Sequence, residues 1–167
     1  MKIDLNDFEK EVGMLIAKKR YSMNRKNSVF DDRQTDKMTE LEPDIEGAMS
    51  ELAFCKVAGV YPENVFTFGA SSKRKGTDGG DAKIDGKVFD VKSTKHLGGR
   101  LITRKNNPHV DVYALMVGQE GSYDLKGVME SKDFISSKRY GDHFLFRTPC
   151  FMALQKELIP WEDYVSA

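Results

Sequence analysis

Apolar residues recur at Leu5, Phe8, Val12, Leu15 and Ile16 within "DLNDFEKEVGMLIAKKRY", with polar residues between them. Spacings of three and four predict an amphipathic helix, opened by Asp4 or Asn6 as its N-cap. The periodicity is lost across residues 22–42, "SMNRKNSVFDDRQTDKMTELE", which predicts a mobile loop or a lid over a site. Pro43, acceptable in a first helical turn, introduces a second stripe of Ile45, Ala48, Met49, Leu52 and Cys55, and Gly59 stops it. Strand-type runs follow: "VFTF" at 65–68, a hairpin at 81–93, "VDVYALMV" at 110–117 and "YDLKGVME" at 123–130. Ser131 then reads as the N-cap of a helix "KDFISSKRY", with Asp133 in its first turn, and a strand-like "HFLF" precedes an amphipathic or irregular tail. The order predicts an α/β or α+β fold, with a mixed central β-sheet flanked by helices.

The hairpin lies in "GTDGGDAKIDGKVFDVKST", residues 76–94. Asp85-Gly86 suits a two-residue type I′ turn, which needs positive φ at both central positions. That turn predicts a register: Ile84 against Lys87, Lys83 against Val88, Ala82 against Phe89, and Asp81 against Asp90. Alternation then sends Ala82, Ile84, Phe89 and Val91 to a core face and Asp81, Asp90 and Lys92 to the other. Two opposed carboxylates repel unless a cation lies between them. Mg²⁺ suits such a place, because it is held by one or two carboxylates plus water and phosphate oxygens. Lys92 would then orient a water or stabilise charge on a phosphate, which is the arrangement of metal-assisted phosphodiester hydrolysis. The plain alternative is three solvated charges on the open face of a hairpin. A bulge in the strand would substitute Asp78 for Asp81.

Length and composition set limits. The 167 residues suit one domain, 1–167, with a core of its own, and 40% hydrophobic with 31% charged residues is the balance of a folded soluble chain. Basic and acidic side chains number 26 each, so total charge says nothing about a polyanionic partner and only local distribution can. Lys73, Arg74 and Lys75 lead through a glycine-rich run to Asp81, and "STKHLGGRLITRKNNPH" after Lys92 supplies Lys95, Arg100, Arg104 and Lys105. These suit phosphate contacts with a nucleic acid, or equally an ordinary solvated surface. No run approaches the roughly 18 apolar residues of a membrane span, and the N-terminus is acidic where a leader would be apolar, which predicts a soluble, cytoplasmic protein with no membrane partner. Cys55 and Cys150 have no metal-site spacing and read as packing residues, His109 and His143 have no partners at ligand spacing and read as structural, and His96 reads as a surface residue. The glycines match neither a Walker A nor a dinucleotide fingerprint, and no Gly-x-Ser-x-Gly elbow occurs.

Asp81 followed by "FDVKST", with Asp90 and Lys92, resembles the motif of the PD-(D/E)XK nuclease superfamily, the restriction-endonuclease-like fold. Here Asp90 stands where most members carry Glu, and Gly80 where they carry Pro. "EGAMSELAFCKVAG" is similar to the helix ahead of the hairpin in that family, with Glu51 at the position that assists metal binding. Strand "DVYALMVG" and "LKGVMESKDF" resemble the module that follows the lysine strand, so the likeness spans residues 44–135. It implies a single-domain, Mg²⁺- or Mn²⁺-dependent nuclease hydrolysing DNA phosphodiester bonds. Asp81, Asp90 and Glu51 would be its metal-site residues and Lys92 would position the attacking water. The same fold also serves nucleic-acid-binding modules without catalysis, and nucleases acting on RNA or branched DNA junctions. A neutral chain of this size further suggests a homodimer that builds a wider basic groove.

Overall fold

A computed structural model describes residues 1–26, 41–66, 80–104, 106–142 and 148–166, with side chains left aside at 24–26. A five-stranded mixed sheet forms the centre. Its order is β1-β6-β5-β3-β2, from β1 (Lys2–Asp4), β2 (Ala82–Ile84), β3 (Lys87–Thr94), β5 (Val112–Gln119) and β6 (Ser122–Glu130). The β3–β5 pair is parallel and the other three pairs are antiparallel. Helices α1 (Asp7–Lys26) and α2 (Glu42–Ala58) cover one face, where Ala53, Phe54, Phe89, Val91, Ala114 and Trp161 share one core. The opposite face carries a second apolar cluster of Tyr113, Leu115, Met129 and Phe134. A three-stranded sheet of β4 (Leu101–Thr103), β7 (Tyr140–Gly141) and β8 (Cys150–Ala153) packs there with the single turn α3 (Ser131–Phe134). Burial on both sides explains why β5 is apolar without alternation, with Val112 to Val117 all at or below 3% exposure.

Local chemistry sets several boundaries. Asn6 caps α1: its Oδ1 accepts the Glu9 N–H at 2.8 Å, while Glu9 Oε2 accepts the Asn6 N–H at 2.7 Å. Asp4 belongs instead to β1, paired with Ser122. Gly59 ends α2 in the left-handed conformation, φ 67°, with Val60 N–H reaching the Cys55 carbonyl at 3.0 Å.

Other expectations are corrected. Residues 22–26 continue α1 rather than opening a loop, and the remainder of the expected lid, 27–40, lies outside the described residues. Phe8 and Leu15 are 73% and 66% exposed, because α1 meets α2 through Gly13, Ile16 and Ala17 instead. A Cβ on Gly13 would lie 2.8 Å from Met49 Cγ, so the small residues permit the close approach. The expected helix over "KDFISSKRY" is one turn long, and Ser131 is its first residue, with its N–H donating to the Asp111 carbonyl at 2.7 Å. Val65 and Phe66 lie in a turn, whereas 67–68 and "HFLF" fall outside the described residues. The tail is ordered: β8, a 3₁₀ turn at Gln155–Glu157, and α4 (Trp161–Val165). Trp161 is packed edge-on against Phe54 and Phe89, with ring centroids 5.6 and 6.2 Å apart. Among the described residues no helix is long and apolar enough to cross a membrane.

Candidate active site

The site is built from the hairpin outward. Asp85 and Gly86 adopt φ of 48° and 83°, and the register runs as the turn predicts: Ile84 with Lys87, Lys83 with Val88, Ala82 with Phe89. There the ladder ends. The Asp81 N–H donates to the Phe89 carbonyl at 2.7 Å, so Asp81 and Ala82 both address Phe89, and Asp81 does not sit on a rung opposite Asp90. Two residues against one is bulge geometry, which re-aims a side chain. The Asp81 side chain turns back along β3, and its Oδ2 accepts the Val91 N–H at 2.7 Å.

Gly80 makes this bend. Its φ is +67°, and a Cβ there would lie 2.4 Å from Val88 Cγ1 and 2.7 Å from the Phe89 carbonyl oxygen. Proline, fixed near φ −65°, has no access to that conformation. The departure from the Pro-Asp pattern therefore has a backbone cause.

Asp90 and Lys92 project from the same face of β3, as strand alternation requires, and form an ion pair of 2.6 Å between Nζ and Oδ1. Their side chains are 18% and 34% exposed, so the pair stands at the border of solvent and core. Burial works to lower the Lys92 pKa, but Asp90 and then Asp81 overcome it and hold the ammonium above its ordinary range. Tyr113, beside Asp90 on β5, has a buried hydroxyl that meets no hydrogen-bond partner among the described residues. Burial first, and then the charge of Asp90, push this phenol's pKa up against the pull of Lys92.

Glu51 lies inside the fold. Residues Ala48 to Cys55 are buried around the whole of α2, because α1 covers the side that the sheet leaves open, and Glu51 is 8% exposed. Its charge is met by Arg20 of α1, whose Nη1 donates to Oε1 at 2.9 Å and Nη2 to Oε2 at 2.7 Å; Nη2 also reaches the Val65 carbonyl at 3.0 Å. Burial raises the Glu51 pKa and Arg20 only partly offsets it, while Arg20 is itself raised because Glu51 outweighs the burial that would lower it. The forked geometry is that of guanidinium on carboxylate.

Sequence reading missed Arg20, whose neighbours Lys18 and Lys19 are exposed. Two signals marked it: it falls three and four residues after Ala17 and Ile16 on the buried face of α1, and a glutamate on a fully buried helix calls for a cation. Glu46, a half-buried glutamate near the start of α2, is occupied elsewhere. Its Oε2 accepts the Tyr123 hydroxyl at 2.5 Å.

Asp81 joins the two halves. Its pKa stands well above the ordinary aspartate range, first through burial, then through the charges of Glu51 and Asp90, with Lys92 and the Val91 N–H opposing. Cys55 feels the same field: burial, then Glu51 and Asp81, push its thiol up to about 12, which keeps it inert. No family model matches the chain, and no curated protein or solved structure matches it. The resemblance to PD-(D/E)XK nucleases therefore rests on the sequence motif alone.

Among the described residues no three of His, Cys, Asp and Glu converge closely enough to hold a metal ion among themselves. Asp81 and Asp90 each keep one carboxylate oxygen, Oδ1 and Oδ2, that takes no hydrogen bond among the described residues. Carboxylate oxygens of this kind are the donor type that a hard divalent ion takes beside waters and phosphate oxygens. Of the expected phosphate contacts, Lys95 is exposed just after β3, and Arg100 and Arg104 flank β4, with Nη1 donors to Met152 Sδ at 3.2 Å and Thr148 Oγ1 at 3.1 Å. Strand β4 is not among the strand-type runs that the sequence offers. Lys73, Arg74, Lys75, Lys105, Asp78 and His143 lie outside the described residues. His96 and His109 are exposed, and both cysteines are free and buried.

A raised folded-state pKa for Asp81 implies a cost at neutral pH. The unfolded chain ionises near the ordinary 3.8, the folded one only at higher pH, so stability falls as pH rises through that interval. Asp81→Asn keeps an acceptor oxygen for the Val91 N–H and removes the repelled charge. Its Tm is expected a few degrees above wild type at neutral pH, with the gain shrinking in acid. Thermal melts across pH check this, and a lower Tm at neutral pH counts against the buried-charge account.

Proposed function

We propose that the chain is a divalent-metal-dependent nuclease that hydrolyses DNA phosphodiester bonds, of PD-(D/E)XK type. The observation that carries this reading is the grouping of Asp81 with the Asp90–Lys92 pair at the end of one hairpin, the carboxylates each retaining an oxygen for a ligand. Asp81 and Asp90 would hold Mg²⁺ or Mn²⁺, and Glu51, which the resemblance places as an assisting residue, would join them only on release from Arg20. When bound, such an ion lowers the pKa of a water and stabilises charge on a phosphate oxygen. Lys92, fixed by Asp90, keeps two further N–H donors to orient the attacking water or meet the phosphate. Lys95, Arg100 and Arg104, with Lys73, Arg74, Lys75 and Lys105, would contact the nucleic-acid backbone, and a homodimer would widen that basic surface.

The arrangement also supports a second reading. Because Arg20 occupies both oxygens of Glu51, the fold can keep that buried carboxylate neutralised without catalysis, as a nucleic-acid-binding module. Linear, circular, single-stranded and four-way-junction DNA, and RNA, incubated with the protein in Mn²⁺ separate these. Cleavage of at least one substrate, blocked by chelator, is the expected result. Retarded but uncut substrates, with no heat of Mn²⁺ binding by titration calorimetry, would leave only the binding module.

A further inference from the structure

We infer that Arg20 is a positioning residue that withholds Glu51 from the cation, so that the site takes a single divalent ion, held by Asp81 and Asp90. The inference rests on the nuclease reading for the identity of that ion and on the geometry for the rest. Both Glu51 oxygens are engaged by one planar guanidinium, at 2.9 and 2.7 Å, and that guanidinium is anchored a third time on the Val65 carbonyl at 3.0 Å. For Glu51 to become a metal ligand, Arg20 would have to give up at least one arm of this fork within a poorly hydrated interior, where an uncompensated charge is costly. Asp81 and Asp90 face no such obstacle, since each is tied through one oxygen only.

Charge balance leads to the same conclusion. Glu51, Asp81 and Asp90 against Arg20 and Lys92 leave a formal charge of about −1, which one divalent ion reverses and a second would drive far positive in a site screened from solvent. In this arrangement Glu51, neutralised by Arg20, serves to anchor α1 to α2. Lysine in place of Arg20 would keep the positive charge but lacks the fork, so it cannot cover both oxygens together.

Mn²⁺ titration calorimetry on wild type, Glu51→Gln and Arg20→Lys tests this, with circular dichroism to confirm folding. Wild type is expected to take one Mn²⁺ per chain. Glu51→Gln is expected to change that affinity by less than about threefold, where loss of a coordinating or supporting group costs about tenfold or more. Arg20→Lys is expected to bind Mn²⁺ about tenfold more tightly, because one Glu51 oxygen becomes available. A merely structural ion pair would alter Tm in both variants and leave Mn²⁺ binding by Arg20→Lys as in wild type. Tenfold weaker binding by Glu51→Gln, or unchanged binding by folded Arg20→Lys, overturns the inference while leaving the nuclease reading standing. Should Arg20→Lys fail to fold, Glu51→Gln decides alone. If wild type takes up no Mn²⁺, the nuclease reading fails; uptake by Arg20→Lys would then still support withholding by Arg20, and no uptake by either would overturn it.

Discussion

Asp90→Ala is expected to abolish the cleavage proposed for this chain in Mg²⁺ or Mn²⁺ and to leave the protein folded. The variant loses one of the two carboxylates with an oxygen to offer and also frees Lys92, whose Nζ is held at 2.6 Å by Asp90. Removing one preorganised charge-stabilising group costs about a hundredfold to a thousandfold in rate, and the loss of the lysine's anchor adds to it, so at least about a thousandfold is expected. A thousandfold is about 4 kcal/mol of transition-state stabilisation. The folding cost is far smaller. With Lys92 34% exposed, its ammonium can turn to water, and a partly solvated pair of this kind is worth about 1 kcal/mol or less. A rate assay beside a thermal melt separates the two quantities. Undiminished cutting by the variant would remove Asp90 from the chemistry, and a collapse of Tm would make it a structural residue.

The largest effect on stability is expected at Arg20→Met. Methionine fills much of the volume but leaves Glu51, 8% exposed, with neither oxygen paired, and strips the Val65 carbonyl of its donor. Breaking one side of a buried pair costs about 3–5 kcal/mol. For a chain of this size that is a drop in Tm of roughly 10 °C. The pH dependence distinguishes this cause from lost packing. The Glu51 folded-state pKa is already raised above the ordinary 4.5 by burial, and losing Arg20 removes the main opposing influence. A raised acid pKa costs stability at pH above it and costs nothing where the group is protonated in both states, so the deficit shrinks as pH falls. Urea denaturation at neutral and mildly acid pH measures this, and adding Glu51→Met is expected to recover most of the loss. A deficit that is the same at both pH values would point to packing alone.

Features set by neighbours in sequence were legible. Asn6, one of the two expected N-caps, Pro43, Gly59 and the Asp85-Gly86 turn act within a few residues through capping, fixed φ or positive φ, and the structure shows each element where they place it. The apolar run of β5 and the strand β6 were legible for the same reason. Elements that exist by virtue of a partner were not. β1 is three residues long and is a strand because Ser122, Tyr123 and Asp124 pair with it. β4 sits in a glycine-broken basic segment and is a strand because β8 pairs with it. The expected apolar stripe of the first helix holds at Leu5, Val12 and Ile16, which pack in the core, and fails at Phe8 and Leu15, because packing of α1 on α2 selects the smaller Gly13 and Ala17 for close approach.

The candidate site divides along the same line. By itself the sequence determined the hairpin register through Ala82 and Phe89, and with it the common face of Asp90 and Lys92, because turn type and strand alternation are local and rigid. Only the tertiary structure decided how Asp81 is aimed and what Glu51 touches. The first depends on a positive φ at Gly80 and a bulge that alternation does not encode, and the second on a guanidinium 31 residues away, brought beneath α2 because a buried carboxylate must find a cation.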